Sequence, residues 1–247
     1  MKNEILIPSA VVPNAYFLGP MGDPDPSDFI CQETHQIPFK RSVVDLSSWN
    51  KTPFRNWPKA PKGWRDWFCR VSAKKGGDWE LYDLNQCLTL SLSKMERNDS
   101  LLVSASYFWS NALNAFIFVH GPMTITLADV YMLTSLRTTR SMQPYEYLSA
   151  GSKRLAKIAD YTGWVSYILN HVEDGSSVSE REYMAFLNMW LEKFIFCGSS
   201  CGPTYDYKLM AEHLALGKDI SLGKYLLGAA YHLMYQVAAQ LLKNELV

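Results

Sequence analysis

The chain has 247 residues, enough for one large domain or two small ones, and 48% hydrophobic against 19% charged residues gives ample apolar side chain for a core. That excludes disorder as the main state. The 24 basic and 24 acidic residues cancel, so the net charge carries no footprint of a dedicated nucleic-acid binder or of a basic membrane-surface protein. No stretch approaches the roughly 18 uninterrupted apolar residues of a membrane span. The longest, Tyr225 to Ala239, is broken by Gly228, His232 and Gln236, and the chain reads as soluble with no membrane partner. An early Glu4, followed by Pro8 and Pro13, leaves no room for a secretory apolar core. Five scattered cysteines (Cys31, Cys69, Cys87, Cys197 and Cys201) fit reduced thiols in an intracellular compartment better than a disulfide framework.

Nine of the twelve prolines fall between Pro8 and Pro61, so residues 1–60 are expected to form an extended, proline-rich arm. Five of the eight tryptophans (Trp49, Trp57, Trp64, Trp67 and Trp79) cluster where this arm meets the body. Such a load suggests that the arm is pinned onto the body, and residues 61–247 then make up the folded domain. Trp64, Trp67, Phe68 and Val71 stand at the three-and-four spacing of one helical stripe beginning near Lys62. Further helices are predicted over Leu81–Leu92 and Ser100–Ser110. The β-rich run Ala115–Val119, closed by His120-Gly121-Pro122, predicts a hairpin with Thr124–Thr126. Thr126 and Asp129 then resemble a capping box opening a helix that carries Leu127, Val130, Tyr131 and Leu133 inward.

Residues 137–157 hold Arg137, Arg140, Lys153, Arg154 and Lys157 against the single acid Glu146. This basic connector has two readings, a phosphate-contacting loop with interleaved tyrosines or a solvated link between helices. Beyond it, helices are predicted over Leu155–His171, Glu180–Phe196 (with Ser179 and Glu182 as a second capping box), Tyr207–Leu216 and Leu222–Leu246. The predicted fold class is therefore mainly α with a small β-hairpin element, a single helical domain preceded by the arm.

Chemistry is hard to place on this pattern. Cys197, Cys201 and His213 lack the second close ligand pair that structural zinc takes. No G-x-S-x-G elbow, G-x-G-x-x-G loop or Walker-type phosphate loop occurs. Asp23 and Asp25 sit in a proline-rich turn, and a metal-dependent nuclease core would need carboxylates such as Asp66, Asp78, Glu80, Asp83 and Asp129 to converge. No catalytic residue, metal or cofactor is assigned. For the tryptophans the binding reading is a partner groove built from Trp49, Trp57, Trp64 and Trp67, and the alternative is packing of arm on body.

One segment is more specific. Trp109-Ser110-Asn111-Ala112-Leu113-Asn114-Ala115-Phe116-Ile117-Phe118-Val119-His120-Gly121-Pro122-Met123-Thr124-Ile125-Thr126-Leu127-Ala128-Asp129-Val130 resembles the signature of the plant mobile domain family. There a tryptophan precedes an Asn- and Phe-containing strand, a glycine turn, and Met-Thr-Ile-Thr-Leu-Glu-Asp-Val opening a helix. Trp64-Arg65-Asp66-Trp67, the run Phe186–Phe196 and the run Ala211–Leu222 are also similar, so the likeness covers about residues 60–247. Pro122, Ala128 and Thr134-Ser135-Leu136-Arg137 depart from the pattern at the turn and the helix end. The resemblance implies a domain of plant transposable elements and of nuclear host proteins derived from them. It further implies work in transposon silencing, gene expression and genome integrity, with phosphoprotein-phosphatase-like partners. The family's "aminotransferase-like" label implies no pyridoxal chemistry here, because neither a Schiff-base lysine nor a phosphate cup can be named. Two functions follow as expectations: a non-enzymatic protein-interaction module, or a nucleic-acid-binding module using Arg137, Arg140, Lys153, Arg154 and Lys157.

Overall fold

The computed structural model describes residues 58–94, 96, 98–106, 108–118, 121–139, 163–197 and 202–242. Most of the arm, with Trp49 and Trp57, and the connector residues Arg140, Lys153, Arg154 and Lys157 lie outside them. In chain order the elements are α1 (Trp64–Leu81), α2 (Asn85–Leu90), α3 (Asp99–Ser106), β1 (Trp109–Ser110), β2 (Ala115–Phe118) and β3 (Gly121–Met123). After them come α4 (Leu127–Thr134), α5 (Trp164–His171), α6 (Glu180–Trp190) continued by a π-helical turn (Leu191–Ile195), α7 (Lys208–Ala215) and α8 (Leu222–Leu242). The fold is mainly α with one small antiparallel sheet, as the residue pattern predicts.

Two compact units share these elements. The described part of the first draws on Arg97–Thr126 and Gly228–Val247, and the second on Pro53–Glu96 and Leu127–Leu227. In the first, the strands run in the order β1-β2-β3, with Trp109 opposite Phe116, and Phe116, Ile117 and Phe118 opposite Met123, Pro122 and Gly121. The hairpin is therefore the expected one with a shifted partner: Gly121–Met123 pairs, not Thr124–Thr126. Pro122 lacks a ladder donor, and it is tolerated because β3 is an edge strand. Trp109–Ser110, predicted as the end of a helix, is instead the first strand, and α3 stops at Ser106.

Under the sheet Trp109 is fully buried, edge-on to Phe116 at 5.0 Å and 5.6 Å from the Tyr231 ring of α8. Polar groups of the same segment fasten it. Thr124 Oγ1 donates to Asn114 O at 2.7 Å, Tyr231 Oη donates to Ile125 O at 2.6 Å, and Asn111 Nδ2 donates to Tyr235 O at 3.4 Å. Asn114 adopts φ 51°, a left-handed conformation that asparagine tolerates, and so closes the turn between β1 and β2.

The second unit is built on α6, where every residue from Glu182 to Trp190 is buried. A helix covered on all sides must lie inside its unit. The α1 stripe meets it as the spacing predicts. Trp64 stacks on Phe186 at 4.7 Å, Trp67 stands edge-on to the same ring at 5.4 Å, and Trp79 stacks on it at 5.7 Å. The shorter second helix, Asn85–Leu90, leaves Leu81 at the exposed end of α1. Gly223 is required where α8 begins. Its N–H donates to Arg137 O at 3.0 Å, and a Cβ there would meet Thr138 Cγ2 at 2.8 Å.

Candidate functional site

Trp64 and Trp67, two of the four rings expected to form a partner groove, are buried in the α1–α6 core. Each indole N–H is used internally. Trp64 Nε1 donates to Ser91 Oγ at 3.0 Å, and Trp67 Nε1 donates to Glu182 Oε1 at 3.0 Å. These rings pack the body and offer no surface to a partner.

Arg137, the described member of the basic connector, is part-exposed and already paired. Its guanidinium meets Asp83 at 2.7 Å and Asp219 at 3.2 Å, and Nη2 donates to Leu81 O. One arginine thereby ties the end of α1 to the approach to α8. A phosphate would have to displace two carboxylates to reach it.

Glu182 forms a fully enclosed polar centre. As N3 of α6 it was expected to cap the helix, and Ser179 Oγ does accept from Glu182 N at 3.1 Å. The carboxylate, however, turns into the core and accepts Arg70 Nε at 2.9 Å and Nη2 at 3.1 Å in a two-point pair. Arg70 also donates to the carbonyls of Gly175 and Ser177, which ties the loop ahead of α6 to α1. Arg70 was not singled out from the sequence, and Glu182 was read there only as a capping residue. The available signal was Glu182 four residues before Phe186, an acid on an apolar stripe that needs a buried partner.

A second enclosed carboxylate sits in the π-helical turn. Glu192 accepts Asn188 Nδ2 at 3.0 Å and Thr204 N at 2.7 Å, and burial pushes its pKa up against these hydrogen bonds. The π turn, which helical periodicity alone does not announce, also brings Phe194 to 4.9 Å from Trp64. Burial raises the Cys87 thiol to about 12, which leaves it an inert core side chain. Cys69, Cys87 and Cys197 are free thiols, and Cys31 and Cys201 lie outside the described residues. Among the described residues, no three His, Cys, Asp or Glu side chains gather as a metal site. Asp83 is held by Arg137 and Asp78 by Lys75 at 3.4 Å. No described helix is long and apolar enough to cross a membrane.

His171, at the end of α5, is buried with its ring 4.3 Å from that of Tyr167. Burial, reinforced by the charge of Arg181, lowers its pKa from 6.5 to about 4. The unfolded chain therefore binds this proton before the folded one does. Stability is full above about pH 6.5 and falls as the pH drops toward 4, by about 3 kcal/mol at the limit. Urea melts at pH 7 and pH 5 test this: His171→Phe should remove most of the wild-type loss, and equal losses in both proteins would refute the assignment.

The surface contribution comes from α4. Of Leu127, Val130, Tyr131 and Leu133, expected to face inward, only Val130 does: Leu127, Tyr131 and Leu133 are 36%, 51% and 68% exposed, and Met132 between the last two is 77% exposed. Gln86 Nε2 donates to Leu133 O at 2.9 Å, and Ser135 Oγ donates to Gln86 Oε1 at 2.6 Å. The helix is thus gripped at its C-terminal end by polar groups, which leaves most of its apolar perimeter open. An apolar helix of this kind is ordinarily covered.

α4 is also the helix that the Met123-Thr124-Ile125-Thr126 segment opens. The family model of the plant mobile domain matches residues 83–246, from the turn after α1 through α8. No curated protein and no solved structure matches the chain. With about two thirds of its length covered, including the sheet, α4 and the buried α6, the chain belongs to the plant mobile domain family.

Proposed function

We propose that this plant mobile domain is a protein-interaction module without catalytic activity or cofactor. Its setting is a nuclear protein engaged in gene regulation, transposon silencing and genome integrity, and its partner is phosphoprotein-phosphatase-like. The observation that carries the interaction reading is the exposed run Tyr131-Met132-Leu133 on α4. Large apolar side chains adjacent on one short helix are the usual anchors of a protein interface. The setting and the partner rest on family membership.

The test is a titration of the full chain with a purified phosphatase-like protein. Substituting alanine at Tyr131, Met132 and Leu133 together should weaken binding at least tenfold and leave the melting temperature unchanged, because none of the three is buried. Duplex DNA serves as the competing ligand. Binding to DNA that weakens steeply with salt and ignores the triple substitution would replace the protein-interaction reading by the nucleic-acid one.

A further inference from the structure

The loop ahead of α6 runs Glu173-Asp174-Gly175-Ser176-Ser177-Val178-Ser179, and its residues 173–177 are exposed. Its three serines are not equivalent. Ser179 is committed as the helix cap, accepting from Glu182 N and donating to Glu173 Oε1 at 2.6 Å. Ser176 has Ser179, not an acid, three positions on. Ser177 has Glu180 at that distance and Glu173 and Asp174 before it, a charge pattern that kinases with basic substrate grooves select.

Arg70 adds the structural half of the argument. Its Nη2 donates to Ser177 O at 2.7 Å while the same guanidinium holds the buried Glu182. A group on Ser177 Oγ would stand within one side chain's length of this arginine. We propose that Ser177 is a phosphorylation site for an acid-directed Ser/Thr kinase, and that the phosphate competes with Glu182 for Arg70. The kinase transfers the γ-phosphoryl of ATP: the Oγ–P bond forms, the bond from Pγ to the bridging β-oxygen breaks, ADP leaves, and the hydroxyl proton passes to the kinase's base.

The new dianion prefers a planar, two-pronged donor, which is what Arg70 presents. Glu173 and Asp174 already act on Arg70 electrostatically, so the phosphate enters an acidic neighbourhood in which this guanidinium is the nearest relief. Drawing it outward leaves the Glu182 carboxylate, which has no exposure, with Trp67 Nε1 as its remaining donor among the contacts above. The modification thus loosens the tie between α1 and α6 from outside.

The full chain is incubated with an acid-directed kinase and Mg-ATP, mapped by mass spectrometry and melted before and after. One phosphate on Ser177 and a melting temperature lower by several degrees are expected. Ser177→Ala should take no phosphate at this loop and melt unchanged, and Glu180→Gln should slow incorporation at least tenfold. Absence of phosphate on Ser177, incorporation indifferent to Glu180→Gln, or a phosphorylated protein that melts at or above the original temperature would each overturn the proposal.

Discussion

Arg70→Ala is expected to lower the stability of the protein clearly, because it leaves the buried Glu182 carboxylate without its charged partner. Glu182 is fully buried, and two of its hydrogen bonds come from this arginine. The same substitution releases the carbonyls of Gly175 and Ser177, so the loop loses its tether as well. Adding Glu182→Gln to Arg70→Ala removes the stranded charge while keeping an acceptor for Trp67. Part of the loss should therefore return, so the two substitutions are non-additive in a double-mutant cycle by urea unfolding. Strictly additive effects would show that Arg70 acts through its aliphatic stem alone.

Trp64→Ala should also cost stability, roughly 3–5 kcal/mol, for a different reason. Trp64 lies between Phe186 and Phe194 and touches the edge of Trp67 at 6.1 Å, so its removal opens a cavity on several sides. Trp64→Phe separates the two parts of the role. It keeps an aromatic ring against Phe186 but leaves Ser91 Oγ without the indole donor, and a smaller loss of about 1–2 kcal/mol is expected. Chemical denaturation of both variants gives the comparison; equal losses would place the whole effect on the hydrogen bond. The Trp64→Ala loss is a substantial fraction of the roughly 5–15 kcal/mol that holds a domain folded. A partner-binding defect in Trp64→Ala would accordingly report unfolding rather than a lost contact.

What was legible in the sequence followed from local periodicity. The tryptophan stripe of α1, the strand over Ala115–Phe118 and the Ser179 cap all depend on residues a few positions apart. What was not legible depends on partners far away in the chain. Glu182 could be read as a capping residue until Arg70 and Trp67 were placed beside it, 112 and 115 positions upstream. Trp109–Ser110 looked helical for another reason: a two-residue strand has no periodicity of its own and is defined only by its pairing with Ala115 and Phe116. The α4 helix was read as amphipathic, yet nearly all its side chains are apolar, so pattern alone could not say which would be covered. Arg137 counted as a free positive charge until its two aspartates were found, one 54 positions before it and one 82 after.

The separation between α1 and α6 has a consequence during synthesis. At about 5–20 residues per second, the ribosome delivers Glu182 some 6–23 s after Trp67. Throughout that interval the tryptophan face of α1 has none of its α6 partners, and Arg70 has no carboxylate to hold. The nascent chain must carry an exposed aromatic helix for longer than most small domains take to fold. A chaperone that shields aromatic segments should therefore raise the soluble yield of the full chain, and raise it most when translation is slow.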